Sequence, residues 1–196
     1  MKKFFFFILA ILIILFGWYF LRGENKGMDL EKMKSTYPNL TVYIDGVEKA
    51  ETSLNQDKDE IDNYIILGLA WKSLADWSQK EGVENYKDYY REALKVYQAG
   101  IEKTQRKNTL LMTNAGNMEK YLENYQAAEE YYKEAISVSQ GDESYYIYLA
   151  ELYEYQMGKS KEEILAVYDE GLKWLINKNW LESEKEAYLQ RLGEAK

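Results

Sequence analysis

The chain holds 196 residues with 25 Lys and Arg, 33 Asp and Glu, no Cys and no His. Without Cys there is no disulfide framework, thiolate nucleophile or Cys-bound zinc, and without His the commonest general base, metal ligand and pH switch are missing, so few enzyme mechanisms survive, carboxylate chemistry among them. The net charge of −8 repels phosphate backbones and sets nucleic acid aside as a partner.

Lys2 and Lys3 precede eighteen uncharged residues, Phe4 to Leu21, which include all six Phe of the chain. As a helix this stretch would span about 27 Å, against a hydrocarbon core of about 30 Å. Trp18 and Tyr19 stand near its far end, where amphipathic rings favour the headgroup layer, and Arg22 closes it. A cleaved signal peptide would have a shorter apolar region and a small-x-small site. Here the end is bulky, from Trp18 to Arg22, and no Cys follows for lipid attachment. Residues 1–21 are therefore expected to form an uncleaved single-pass transmembrane anchor. The two lysines on a three-residue tail favour an amino end in the cytoplasm and a soluble domain on the other side of a bacterial type of envelope. Arg22, Lys26, Lys32 and Lys34 oppose that bias. Residues 22–38 read as a tether, broken by Gly23 and Gly27 and ended by Pro38. Beyond residue 21 the chain carries 23 bases and 33 acids, the bases being the 25 of the whole less Lys2 and Lys3.

One phrase recurs four times: an aromatic, two spacers, a small residue and an aliphatic. It starts at Tyr43, Tyr97, Tyr132 and Tyr168, with steps of 54, 35 and 36 residues. A second phrase precedes three of these: Tyr64, Leu67, Gly68 and Trp71; then Met112, Ala115 and Gly116; then Tyr146, Leu149, Ala150 and Tyr153. Each segment alone has apolar residues every three or four positions, as in Leu40, Tyr43, Val47, Ala50 and Leu54, so each is an amphipathic helix that must stack on neighbours to bury its face.

A period of about 34 residues built as helix–turn–helix marks the tetratricopeptide repeat (TPR), and these residues resemble that family. Gly116, Ala128, Tyr132 and Ala135 stand at the family spacing. Tyr146, Leu149, Ala150, Tyr153, Tyr168 and Gly171 follow it with about two extra residues at the turn. Tyr64, Leu67, Gly68, Trp71, Ala93, Tyr97 and Gly100 follow it with a turn around Gln79–Asn85 stretched by about thirteen residues. Glu119 takes a place where Tyr is usual, and the family's Pro after each second helix is missing. The resemblance implies an all-α fold: a TPR-like α-solenoid of antiparallel helix hairpins behind the N-terminal transmembrane helix. The repeat domain is expected over 39–178, with a half-repeat at 39–54 and repeats at about 60–105, 109–141 and 143–178. Residues 179–196 are expected to form a charged capping helix, with Leu181, Tyr188, Leu189 and Leu192 on one face. Capping boxes are read at Ser160–Glu163 and Ser183–Glu186, and N-caps at Asn85 and Asn124.

Other motifs are weak. Gly158-Lys159-Ser160 lacks the earlier Gly and the strand of a phosphate loop. Asp57–Asp62 has Ile61 in a ligand slot of a calcium loop. Glu129-Glu130 and Glu162-Glu163 are helix neighbours that point to different sides. Asn39-Leu40-Thr41 is a glycosylation sequon by letter alone. No cofactor, metal or catalytic site is expected.

In TPR proteins the first helices line a concave groove, and the resemblance implies the same here. The groove-facing candidates are Thr113, Asn114, Asn117, Lys120 and Tyr121, then Ile147, Glu151, Glu154 and Tyr155. Asn114 and Asn117 match Asn positions of the family's clamp for carboxyl-terminal peptides, but the supporting basic residues are absent. The expected function is protein–protein interaction at a membrane: a scaffold, or an assembly or chaperone-like adaptor, binding a peptide or helix. Acids in the groove predict partners with Lys or Arg. Self-association into a homo-oligomer without a dedicated ligand is the first alternative, and a carboxylate-based envelope hydrolase the weaker second.

Overall fold

The computed structural model describes residues 29–193. The stretch expected as an anchor lies outside them. Among the described residues no helix is long and apolar enough to cross a membrane.

The chain divides into two compact units, one ending at Thr41 and one beginning at Val42. The first holds α1 (Leu30–Thr36) and a 3-10 turn (Pro38–Leu40). Asp29 starts α1 by accepting the Lys32 N–H at 2.9 Å, and Pro38 fits the first position of the turn, where a missing N–H costs nothing. Part of the segment expected as a tether is thus helical.

The second unit is a run of helices: α2 (Thr41–Gln56), α3 (Ile61–Lys80), α4 (Lys87–Lys103), α5 (Thr109–Tyr121), α6 (Tyr125–Val138), α7 (Glu143–Leu152), α8 (Lys161–Trp174) and α9 (Asn179–Arg191). All regular structure among the described residues is helical. Short links make α3–α4, α5–α6 and α7–α8 antiparallel pairs. The extra residues of the first pair are absorbed mainly by helix rather than loop: α3 has 20 residues where α5 has 13. Leu74, Ala75 and Ser78 on the added length are buried. The extra residues of the third pair form a π-helical turn, Tyr153–Met157, closed by Gly158 at φ 58°. Such a wide turn takes in additional residues without ending the helix.

The caps divide by what their N–H groups need. Ser160 makes the full capping box with Glu163. Ser183 does not cap: α9 starts at Asn179, because buried Leu181 is already helical and gives its N–H to the Glu143 carboxylate at 2.8 Å. Asn124 precedes α6 but turns its amide to Glu119 Oε2 at 2.8 Å instead of capping. Helix α4 begins after Tyr86, not at Asn85.

Packing rests on an aromatic ring laid against a glycine. Tyr97, fully buried, lies on Gly68, and Tyr132, fully buried, lies on Gly116. A Cβ at either glycine would stand 2.3 Å or 2.6 Å from the ring. Beyond the second pair the core continues through Tyr146, Leu149, Ile164, Tyr168, Leu181 and Tyr188, with Ile147 inside it.

The two equivalent hydroxyls differ in satisfaction. Tyr132 donates to Asn117 Oδ1 at 2.8 Å. Tyr97 is buried, and its oxygen has no hydrogen-bond partner among the described residues. The residue after Gly116 is Asn117, whereas the residue after Gly68 is Leu69, which offers no acceptor. An unsatisfied buried hydroxyl costs about 1–3 kcal/mol. Tyr97→Phe is expected to raise stability by about 1 kcal/mol, and Tyr132→Phe to lower it by about 1 kcal/mol, as measured by urea midpoints.

Candidate functional site

The face of the solenoid formed by the first helices of the pairs is set by residues at fixed offsets from Gly68, Gly116 and Ala150. Two before these stand Ile66, Asn114 and Tyr148; one after, Leu69, Asn117 and Glu151; four after, Lys72, Lys120 and Glu154; five after, Ser73, Tyr121 and Tyr155. Residues three or four apart share one helical face, so these sets form rows across α3, α5 and α7, with Glu154 and Tyr155 carried on the π-helical turn that follows α7.

Along this face an aromatic shelf joins the first two pairs. Tyr90 and Tyr121 stack with ring centroids 5.0 Å apart, and Tyr86 meets Tyr90 edge-on at 6.1 Å. The Tyr90 hydroxyl donates to Asp76 Oδ1 at 2.6 Å, and Lys72 Nζ holds Asp76 Oδ2 at 2.6 Å. Burial, reinforced by the Asp76 carboxylate, pushes the Tyr90 hydroxyl far above its ordinary titration range. Lys72 also lies 5.3 Å from the centre of the Tyr121 ring. A cavity of about 430 Å³ opens beside the shelf, bounded by Tyr90, Lys120, Tyr121, Glu123 and Gln156. A second opening, about 470 Å³, lies between α6, α7 and α8 over Ile136, Tyr146, Leu149 and Val167.

The expected groove residues separate by depth. Tyr121 and Tyr155 are exposed, while Asn114, Asn117, Lys120, Glu151 and Glu154 are partly covered. Thr113 and Ile147 are not available to a partner. Thr113 is buried, with its hydroxyl given to the Thr109 carbonyl at 2.7 Å, and Ile147 is a core residue. Asn117 is engaged by Tyr132, so it has a structural role. Glu154 accepts both arms of Arg191 at 2.8 and 2.7 Å, and the same guanidinium lies 5.7 Å from the centre of the Tyr155 ring. The capping helix therefore clamps the last expected pair.

Lys120 is different. It is partly covered, lies 5.9 and 6.0 Å from the ring centres of Tyr121 and Tyr148, and makes no hydrogen bond or ion pair among the described residues. Burial pushes its pKa down, and the charge of Glu151 only partly offsets this.

Five residues of the same three helices were not singled out from the sequence: Ile66, Leu69, Lys72, Leu110 and Tyr148. Ile66, Leu69 and Leu110 are exposed aliphatics, Leu110 standing four residues before Asn114 and so on the same side of α5. The signal for Ile66, Leu69, Lys72 and Tyr148 was present as the offsets from Gly68, Gly116 and Ala150. Among the described residues no cluster of acids could hold a metal ion.

No protein-family model matches the chain, and no curated protein matches it. Solved structures do. The chain is similar to TTC0263, a thermophilic TPR protein of Thermus thermophilus, with a TM-score of 0.64 and 22% identity over 81% of this chain and 77% of that one. It is similar to one structure of MamA with a TM-score of 0.56 and 14% identity, over 85% and 86% of the two chains. A second MamA structure gives 0.54 and 20%, over 72% and 69%. At these identities the likeness is one of fold: the chain folds as a TPR-type α-solenoid.

Proposed function

We propose that this chain is a membrane-tethered interaction scaffold, an assembly or chaperone-like adaptor that holds a helix or extended segment of a partner protein against the first-helix face. The observation that carries this reading is the Tyr90–Tyr121 shelf with its adjoining opening: Tyr121 remains exposed although it stacks on a nearly buried ring. Aromatic side chains left at a surface in this way supply large, stiff contact area. Residues 1–21 would hold the domain at a membrane, on its non-cytoplasmic side, and raise its effective concentration for partners there. The proposed action is holding rather than reaction.

The test is affinity capture of the tagged full-length protein from gently solubilised membranes of its own host, beside Tyr121→Ala/Tyr155→Ala. Asn117 is left intact because it satisfies Tyr132. With folding of the variant checked by circular dichroism, a partner held by the parent and lost by the variant is the expected result. Equal capture by both would place binding on another face.

Self-association is the second reading, favoured by one observation. Trp174, Ile176 and Trp180 leave apolar surface exposed around the α8–α9 corner, and such patches mark contact sites. A mass that rises with concentration and falls on Trp180→Ala would support it.

A further inference from the structure

Of the two acids that made the groove look suited to a basic partner, Glu154 is satisfied within the chain, while Glu151 makes no hydrogen bond among the described residues; other acids nearby are also held. Glu154 is held by Arg191, Asp76 by Lys72 and Tyr90, Glu123 by Lys87 at 2.8 Å, and Glu119 by Asn124. Lys120 has lost part of its water to Tyr121 and Tyr148 and gained no hydrogen-bonded anion in return. A partly desolvated ammonium with no hydrogen-bonded anion among the described residues gains much from a carboxylate. Glu151 carries an opposite charge near it and makes no hydrogen bond, so it competes for the ammonium without occupying it. Towards the start of the same helices the face turns aliphatic, with Ile66, Leu69 and Leu110 exposed at 53%, 44% and 52%.

We propose that Lys120 seats an internal Asp or Glu side chain of the partner segment, while Ile66, Leu69 and Leu110 receive aliphatic side chains of that segment. This rests on the groove reading above and reverses the charge preference that the sequence alone suggests. The partner is an amphipathic acidic segment, not a basic one. Its carboxylate replaces the water that Lys120 lacks, and the ring faces of Tyr121 and Tyr148 keep the ammonium in place.

The probe is a displayed library of random dodecapeptides with blocked ends, selected on the full-length chain in detergent. The parent is expected to enrich Asp and Glu over Lys and Arg, together with Leu, Ile and Val. A selected peptide should bind Lys120→Met about tenfold more weakly, the loss of roughly one charge-assisted contact. It should bind Glu151→Gln more tightly, because the competing carboxylate is gone. Circular dichroism must show both variants folded. Enrichment of basic peptides, or unchanged binding to Lys120→Met, overturns the inference. So does binding that requires a free carboxyl terminus in place of the internal acid. If neutral or basic peptides are selected and Tyr121→Ala abolishes their binding, the groove reading stands and this inference alone fails. If the parent selects nothing, both fail.

Discussion

Gly68→Ala is expected to lower the stability of the repeat domain by about 2–3 kcal/mol, although alanine is the better helix former. The added methyl would stand 2.3 Å from Cε1, 2.4 Å from Cζ and 2.8 Å from Cδ1 of Tyr97. That ring is fully buried and has no free direction in which to move, so the clash must be relieved by separating α3 from α4. Gly46→Ala in α2 is the control. It is helical and exposed, with nothing within 4 Å of the new methyl, so the same substitution should stabilise by about 0.5–1 kcal/mol. Urea unfolding of the two variants, followed by circular dichroism, should shift the midpoint in opposite directions. Shifts of the same sign would mean that close approach at Gly68 is not what holds the first pair together.

The largest effect is expected at Tyr132. Tyr132→Ala should cost about 3–5 kcal/mol, since a buried aromatic leaves both a transfer loss and a cavity. The ring packs on Gly116, lies 5.9 Å from Tyr148 and gives its hydroxyl to Asn117, so it ties α5, α6 and α7 together. Tyr121→Ala offers the contrast. It loses one stacking contact on an exposed ring and should cost about 1 kcal/mol or less. The pair separates tyrosines that hold the fold from tyrosines available for binding. Comparable losses at the two positions would undo that division.

The residues that set the packing were legible because a repeat marks them. Gly68 with Tyr97, and Gly116 with Tyr132, recur with the period of the fold, and the close approach of ring to glycine is the physical reason for the recurrence. Depth was not legible. Thr113 and Ile147 fall on the groove side by helical angle, yet neighbouring helices cover them, and Thr113 carries its burial by bonding to its own backbone one turn back. The capping letters at Ser160 and Ser183 are alike, and only the first stands where free N–H groups exist. The pairing of the acids was not legible for a third reason. Arg191 with Glu154, and Lys87 with Glu123, join residues 37 and 36 apart in sequence, and no local pattern announces such pairs. Ile66, Leu69, Lys72 and Tyr148 share the repeat's offsets and could have been found by carrying them to all three pairs.

The most direct test places a photo-crosslinking amino acid in the full-length protein in its host cells. One variant carries it at Tyr121, another at Tyr155, and a third at Glu130, exposed on α6. The account predicts a discrete protein adduct from Tyr121 and Tyr155 and none from Glu130. An adduct from Glu130 with none from either tyrosine would contradict it and put the partner on the second-helix face.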